Sequence, residues 1–265
     1  MSEKTDGLER YIVPGLERGL RLLLEFNRRD TSYTAPELAK RLSLPRTTVF
    51  RLLATLETMG FVKRDGNDYS LGMAVLRLGF EYLASLELTE LGQPVLNKLS
   101  NDIGYSCNLV VRDDKSIVYV AKVTPPSIFA GSVTVGTRLP AHATVLGRIL
   151  LEDLSLQELR DLYAGAELDG YSSNTPRSAD ELYDLVQQDL NRGYGVSEGF
   201  YESSISTVAA PVRDRLGKVV AALGATIPSG RIEGEEMDLL VTKVRSSADE
   251  LSRLLGHTRS FAAQG

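Results

Sequence analysis

The clearest alternation of apolar and polar positions lies between residues 34 and 71. Its apolar positions are Leu38, Ala39 and Leu42, followed by Val49, Leu52, Leu53 and Leu56. The second set has the i, i+3, i+4, i+7 spacing of a helix with one buried face, which we predict from about Pro45 to Met59. Thr34, Pro36 and Glu37 provide an N-cap, a first-turn proline and a capping-box partner for the shorter helix before it. Gly60 is expected to end the second helix.

Two short extended segments, 61–64 and 69–71, follow this helix pair and flank the turn sequence Asp65-Gly66-Asn67-Asp68. Two helices at a tight turn followed by a basic hairpin are typical of a winged helix-turn-helix, whose second helix enters the DNA major groove. The predicted DNA contacts are Thr34, Arg46, Thr47, Thr48, Arg51, Lys63 and Arg64. Arginines can bind phosphates or guanine, threonines can bind phosphates and thymine methyls, and the hairpin cations can reach the backbone. The alternative interpretation is a solvated helix face on a small protein-binding domain.

Flanking this module, a first helix is expected over about 15–26. Its leucines at 16, 20, 23 and 24 are expected to pack on the reading helices. Connecting helices are expected over 71–84 and 90–103, with a hinge at 85–89; they form either a spacer or, as we favour, a dimer interface.

Beyond residue 104 the pattern predicts strands and helices that form an antiparallel sheet covered by helices. The strands are expected over 106–112, 116–123, 127–135, 205–212 and 218–227, and the helices over 141–151, 156–163, 178–191 and 235–255. We therefore predict an α+β chain with a DNA-binding domain at 1–72, a linker helix at 73–90 and a second domain at 91–265.

The charge is unevenly distributed along the chain. The whole chain has a net charge of −5, but residues 10–64 carry 11 Lys and Arg against 5 Asp and Glu, a balance of +6 that leaves −11 elsewhere. This asymmetry predicts one domain that holds DNA and another with a different task. The single cysteine, Cys107, excludes an internal disulfide, and no apolar run approaches the ~18 residues of a membrane span. We therefore expect a cytoplasmic protein without a membrane partner.

The residue inventory argues against an enzyme. The two histidines, His142 and His257, and the lone thiol cannot form a His/Cys zinc cluster, and no phosphate-binding glycine motif or nucleophile elbow is present. We expect no catalytic residue, metal or cofactor. Two glycine-rich polar segments, 135–144 and 193–202, are instead candidates for small-molecule binding. Arg138 could pair with a ligand carboxylate, or could equally form a structural salt bridge.

Several of these segments together resemble the IclR family of bacterial transcription regulators over nearly the full chain. The DNA-reading part is similar at 16–20, 38–49, 51–56, 60–62 and 69–72, and the second domain at 136–150, 193–196, 209–214 and 217–223. The resemblance implies a GAF-like effector domain, dimers that can pair into tetramers, and control of an operon for catabolism of a small organic or aromatic acid. Segments 78–85, 117–122 and 136–140 look closer to the subgroup that controls protocatechuate and 4-hydroxybenzoate breakdown.

The resemblance also implies an effector pocket formed by a loop after Pro140, a loop at 196–198 and the inner faces of the last two strands. The pocket positions carried over are Ala141, His142, Ala143, Ser197, Glu198, Thr207, Gly224 and Thr226. Thr207, Gly224 and Thr226 stand where some relatives have a cysteine or serines, which indicates a ligand of different size or polarity. Two functions remain open: a ligand-responsive DNA-binding regulator, and a DNA-binding protein whose second domain only oligomerises.

Overall fold

The computed structural model describes residues 11–27, 30–76, 87–126, 133–164, 168–199, 201–202 and 204–258. The chain forms two compact units, residues 1–85 and residues 86–265. The residue limits of the three predicted segments (1–72, 73–90 and 91–265) stay a prediction.

The first unit combines three helices with a small antiparallel sheet. Its elements are α1 (Pro14–Leu24), β1 (Ser32–Thr34), α2 (Ala35–Leu42), α3 (Arg46–Thr58), β2 (Val62–Asp65) and β3 (Asp68–Leu71). The strand order is β1-β3-β2, and β2 and β3 form the predicted hairpin. The short strand β1 was not predicted, because three residues are too few for a period-2 pattern to be read.

The predicted helix-turn-helix is confirmed in detail. Thr34 caps α2 through a reciprocal capping box: its backbone N–H donates to Glu37 Oε2 at 2.8 Å, and its hydroxyl accepts from the Glu37 N–H. Ser43 ends α2 in the left-handed conformation (φ 55°), which turns the chain into Pro45 and α3. Gly60, at φ 76°, follows α3 as expected.

The predicted packing of α1 is confirmed for Leu23, which packs against the core of the first unit, and is wrong for the other three leucines. Leu16, Leu20 and Leu24 are 63%, 53% and 81% exposed, whereas Leu22 is fully buried in the core formed with α2 and α3. Gly19 lies beside Leu52 of α3, so the close approach of the two helices selects the side that carries Gly19 and Leu22. The more apolar side of α1 is therefore left exposed.

The second unit contains a six-stranded antiparallel sheet. Its elements are α4 (Glu87–Ile103), β4 (Ser106–Asp113), β5 (Ser116–Val123), β6 (Arg138–Pro140), a 3₁₀ turn (Ala141–Ala143), α5 (Val145–Leu150), α6 (Leu156–Leu162), α7 (Ala179–Arg192), β7 (Gly195–Glu198), β8 (Ser206–Arg213), β9 (Val219–Ile227) and α8 (Gly234–Leu254). The strand order is β6-β5-β4-β9-β8-β7.

Helices cover both faces of this sheet. On one face α4 and α8 contact the central strands, and Gly92 of α4 lies against Leu109 and Leu251. On the other face α5 lies over β8 and β9, where a Cβ at Gly224 would come within 2.9 Å of Leu146. The predicted α+β class and helix-covered antiparallel sheet are confirmed.

Some predicted elements differ in the structure. Within the predicted strand 127–135, residues 127–132 lie outside the described part, and 133–135 are not a strand; the edge strand is β6, in a segment expected to be a loop. The second glycine-rich segment, 193–202, contains strand β7. The helix expected over 141–151 is interrupted at Thr144, which caps α5 by accepting the Gly147 N–H at 3.1 Å. Part of the expected hinge at 85–89 is helical, since α4 begins at Glu87, and 77–86 are not described.

Candidate functional sites

The exposed side of α3 carries the side chains predicted to read DNA. Arg46, Thr47 and Arg51 are exposed and Thr48 is half-buried, while Val49 and Leu53 are buried on the opposite side. This separation follows from the 3.6-residue period, because the positions that anchor α3 in the core cannot also face solvent. Exposed cations and hydroxyls along one helix are the groups needed to bind phosphates and base edges.

The hairpin adds two more cations. Lys63 and Arg64 are exposed on β2. Arg64 donates from Nε to the Gly66 carbonyl at 2.8 Å, and its guanidinium lies 5.7 Å from the centre of the Tyr69 ring. These contacts hold the Arg64 head at the tip of the hairpin. Thr34 is placed differently, because its hydroxyl bonds Glu37 Oε2 at 2.7 Å within the capping box.

The second unit contains a cavity of about 470 Å³ between the sheet, the start of α5 and the segments around 133–139 and 201–205. Its lining residues are Ser106, Asn108, Tyr119, Lys122, Val133, Thr137, Leu139, Thr144, Val145, Leu146, Ser197, Tyr201, Glu202, Ile205, Thr207, Thr226 and Pro228. A cavity of this size, mostly apolar with a few polar groups, is typical of small-molecule sites.

The cavity floor is built by strand register. Ser106, Thr226, Thr207 and Ser197 are successive partners across β4, β9, β8 and β7, so four hydroxyl side chains form one row across the sheet. Lys122 and Asn108 are partners across β5 and β4 in the next row on that face. Strand pairing therefore brings together residues up to 120 positions apart.

Within this floor, Asn108 has an incomplete set of hydrogen bonds. Its Nδ2 donates to Thr226 Oγ1 at 2.9 Å, whereas its Oδ1 has no partner in the part of the chain that the structure describes. The side chain is 2% exposed. An unsatisfied buried amide oxygen is costly unless a ligand or water completes it.

Aromatic side chains line the cavity and continue from it. Tyr119 is buried among the lining residues, and burial raises the pKa of its phenol to about 12, so it is neutral near pH 7. Tyr201 contacts Tyr171, with ring centres 4.8 Å apart.

Burial likewise raises the pKa of Cys107 to about 12, which keeps its thiol protonated and unreactive.

Of the nine residues predicted for the effector site, Ser197, Thr207 and Thr226 line this cavity. The other six are outside its lining. Arg138 pairs with Asp113 at 2.6 Å on the surface, in agreement with the alternative interpretation of a structural salt bridge. His142 Nε2 bonds the Asp169 carbonyl at 2.9 Å, and its ring meets Tyr163 edge-on.

The remaining four of those six have structural contacts. Glu198 accepts the Ile232 N–H at 2.9 Å. Ala141 and Ala143 are fully buried, and Gly224 permits the approach of Leu146, which does line the cavity. A role for any of the nine in effector binding stays a prediction.

The polar lining residues that sequence reasoning missed include Ser106, Asn108, Lys122, Thr137 and Thr144. Thr137 and Thr144 lie in the segment 135–144 that was singled out. The other three lie inside predicted strands, where inward-facing polar residues among β-branched neighbours were the available signal.

Two ion pairs with buried carboxylates connect elements of the cavity wall. Arg148 of α5 donates from Nε to Asp189 of α7 at 2.7 Å and from Nη2 to the Val196 carbonyl of β7 at 3.0 Å; the side chains of Arg148 and Asp189 are 2% and 5% exposed. Directly after α5, the buried Glu152 pairs with Arg213 of β8. Burial raises the pKa of Glu152 to about 7 despite the nearby guanidinium. Both pairs tie α5 to the strands that carry Ser197 and Thr207.

Within the described ranges, none of the helices is long and apolar enough to cross a membrane. Those same ranges hold no group of three or more His, Cys, Asp and Glu side chains arranged to bind a metal ion.

A helix-turn-helix with a basic wing, joined in one chain to a sheet domain with an internal cavity, defines the class of two-domain DNA-binding transcription regulators. Comparison with known proteins identifies the family. Residues 15–66 match the IclR helix-turn-helix domain, and residues 80–253 match the bacterial transcriptional regulator IclR C-terminal domain. The chain belongs to the IclR family, as the sequence motifs indicated, and is a DNA-binding transcription regulator.

Named relatives and solved structures agree. The chain is 32% identical over 247 residues to the Pca regulon regulatory protein of Pseudomonas putida, covering 92% of this chain and 85% of that protein. It is 30% identical to the acetate operon repressor of Salmonella typhimurium, over 93% and 92% of the two chains. The crystal structure of an IclR transcriptional regulator from Alicyclobacillus acidocaldarius is 29% identical, with a TM-score of 0.81 over 93% of this chain and 100% of that one. These relatives are named as regulators, and the chain is a regulator rather than an enzyme.

Proposed function

We propose that the chain is a ligand-responsive, sequence-specific regulator of a catabolic operon for a small organic or aromatic acid. The observation that carries this proposal is the cavity of about 470 Å³ floored by a row of four hydroxyl side chains and an incompletely bonded amide. A domain that served only for assembly would have no need of a polar cavity in its interior, where unsatisfied polar groups are costly.

The names of relatives support the class of ligand. The similar Pseudomonas putida protein is named for the Pca regulon, and the Salmonella protein for the acetate operon. A homologue from Microbacterium hydrocarbonoxydans, 23% identical with a TM-score of 0.80, was crystallised in complex with 4-hydroxybenzoate, so this fold can accommodate a small aromatic acid.

Thermal shift with a panel of aromatic and short-chain acids tests the effector role. A ligand that binds only the folded state stabilises it by mass action, by about 2.7 kcal/mol at a free ligand concentration of 100 times its Kd. This stabilisation raises the melting temperature. Thr207→Leu places a larger apolar side chain at the cavity floor and should abolish the shift, whereas Thr242→Leu on the exposed side of α8 should preserve it. No shift with any panel member favours the alternative, a second domain that only oligomerises.

For DNA, we propose that α3 enters the major groove and that the hairpin binds the adjacent backbone. The predicted contacts Arg46, Thr47, Thr48 and Arg51 lie on α3, and Lys63 and Arg64 lie on β2. Replacing Arg46 or Arg51 by alanine should weaken operator binding. It should also reduce the slope of log affinity against log salt concentration by about 1 for each phosphate contact that is lost. Arg160→Ala, on exposed α6 of the second unit, is the matched control. Unchanged affinity and salt slope in both α3 variants would refute this docking.

We further propose that the protein is a homodimer, able to form tetramers, and that the exposed side of α1 contributes to self-association. The stripe of Leu16, Leu20 and Leu24 is apolar along a little over two helical turns, and Val13 extends it at 62% exposure. A second copy of the same helix matches this surface, because a two-fold interface brings identical patches together, and two-fold DNA sites require paired reading heads. Replacing Leu20 by glutamate should weaken association in analytical ultracentrifugation, while the same change at exposed Leu216 should not.

A further inference from the structure

Lys122 is the cationic residue among the lining residues of the cavity that the structure describes. It lies on β5 opposite Asn108 of β4, is half-buried, and donates from Nζ to the Val133 carbonyl at 2.7 Å. An ammonium group has three donors, so it can hold that carbonyl and a ligand oxygen at the same time.

The charges around the cavity differ in their depth. Lys122 and Glu202 are the charged residues among the described lining. Glu202 is exposed and accepts a hydrogen bond from Ser204 at 3.3 Å, so its charge is screened by solvent. Lys122 lies deeper, beside the buried Asn108, where the lower dielectric strengthens its interactions. Of these two charges, the cation is therefore the one less screened by solvent.

Arg138, the cation suggested by the sequence for a ligand carboxylate, does not supply this field. Its guanidinium pairs with Asp113 at 2.6 Å on the surface, and both side chains are more than half exposed. The cavity lining includes its neighbours Thr137 and Leu139 but not Arg138 itself.

We propose that Lys122 binds the carboxylate of the effector and is the residue that makes the site select acids over their uncharged analogues. This proposal rests on the proposed function, because it assigns a specificity determinant within that effector cavity. Asn108, next to Lys122 in register and with one amide oxygen unsatisfied, positions a second polar group of the same ligand. The hydroxyl row supplies further neutral hydrogen bonds that acids and amides can both use.

The test compares acids with their amides on the wild type and on Lys122→Met, which keeps the length of the side chain and removes its charge. Benzoate and 4-hydroxybenzoate are paired with benzamide and 4-hydroxybenzamide, and lactate with lactamide, in isothermal titration of the full-length protein. A charge-assisted hydrogen bond is worth about 1.5–3 kcal/mol, or roughly 10- to 150-fold in affinity. We expect Lys122→Met to weaken binding of the acid by about that factor and to leave the affinity for the amide nearly unchanged.

Two further variants keep the outcome interpretable. Lys122→Arg retains the positive charge and should therefore retain the preference for the acid over the amide. If Lys122 had only a structural role, its charge would not determine this preference. Lys243→Met, at an exposed lysine of α8 paired with Asp102, should change neither affinity. If Lys122→Met unfolds, Lys122→Gln and Lys122→Arg provide the same contrast between neutral and charged side chains.

The outcomes separate this inference from the broader proposal. If an acid binds the wild type but the neutral variants bind it equally well, Lys122 is not the determinant while the effector function stands. A wild type that binds acids and amides alike also overturns the inference. If none of these compounds binds and none alters DNA affinity, the proposed effector function for acids fails, and the inference fails with it.

Discussion

The buried pair of Arg148 and Asp189 provides a sharp test of how the cavity wall is held. The two side chains are almost completely excluded from solvent, and Arg148 also donates to the Val196 carbonyl. Burial raises the pKa of Asp189 more than the guanidinium lowers it, so desolvation costs much of what the pair gains. Replacing one partner leaves the other charge buried and should cost about 3–5 kcal/mol of unfolding free energy.

The double-mutant cycle uses Arg148→Met, Asp189→Val and the two changes combined. Because the double variant buries no charge, it should recover most of the loss seen in the single variants. The assay is urea unfolding followed by circular dichroism, with calorimetry to separate the transitions of the two units, since a single two-state fit does not apply to two domains. The exposed pair of Arg160 and Asp180 serves as the matched control, with an expected effect below about 1 kcal/mol. Single variants that cost less than about 1 kcal/mol, or a double variant whose loss equals the sum of the singles, would show that the two charges do not depend on each other.

Three other features of the structure make testable predictions. Burial raises the pKa of Glu152 to about 7 in the folded state, from an ordinary value of 4.5. The protonated carboxyl therefore contributes its full stability below about pH 4.5, and this contribution is lost as the pH rises toward 7. In urea titrations the stability of the wild type relative to Glu152→Gln should fall across that window, and a flat or rising difference would contradict the assigned burial. Thr34→Ala should destabilise the first unit by about 1 kcal/mol through loss of the helix cap, and a serine at the same position should retain the stability of the wild type. If the serine variant is stable but binds DNA weakly, Thr34 makes a DNA contact in addition to capping α2. Gly195→Ala should lower the melting temperature of the second unit, because its Cβ would lie 2.5 Å from Val145 and 3.0 Å from Asp189. The control is Gly104→Ala, whose Cβ would meet open space. Because Gly104 has a positive φ, this control measures only the cost of placing an alanine in that backbone conformation.

Local sequence signals predicted the DNA-reading module well because its structure is set by neighbours in the chain. The capping box of Thr34 and Glu37 and the period of α3 act within a few residues. The face of α1 was misassigned because hydrophobicity alone cannot distinguish a side buried within one chain from a side left for another surface. Gly19 and Leu22 are buried through the close approach to α3, which has no signature within the helix itself.

The cavity of the second unit was less predictable for a similar reason. Its polar floor joins Ser106, Thr226, Thr207 and Ser197 through strand pairing over long sequence separations, and the order of the strands is not encoded in any one of them. Of the positions carried over from the family resemblance, Ser197, Thr207 and Thr226 line this cavity, whereas His142 and Glu198 have partners outside it. Lys122 and Asn108 were found only once β4 and β5 were placed side by side.

Regulation of DNA binding by a ligand in the cavity is tested by the affinity of the full-length protein for DNA upstream of its own gene and the adjacent operon, measured by fluorescence anisotropy at fixed salt. Each titration is run with and without each panel acid, on the wild type and on Thr207→Leu. We expect at least one acid to change the affinity of the wild type at least several-fold, and the cavity variant to lose this response while still binding DNA. Tight DNA binding that no acid alters, or an acid response that survives filling of the cavity, would contradict this expectation.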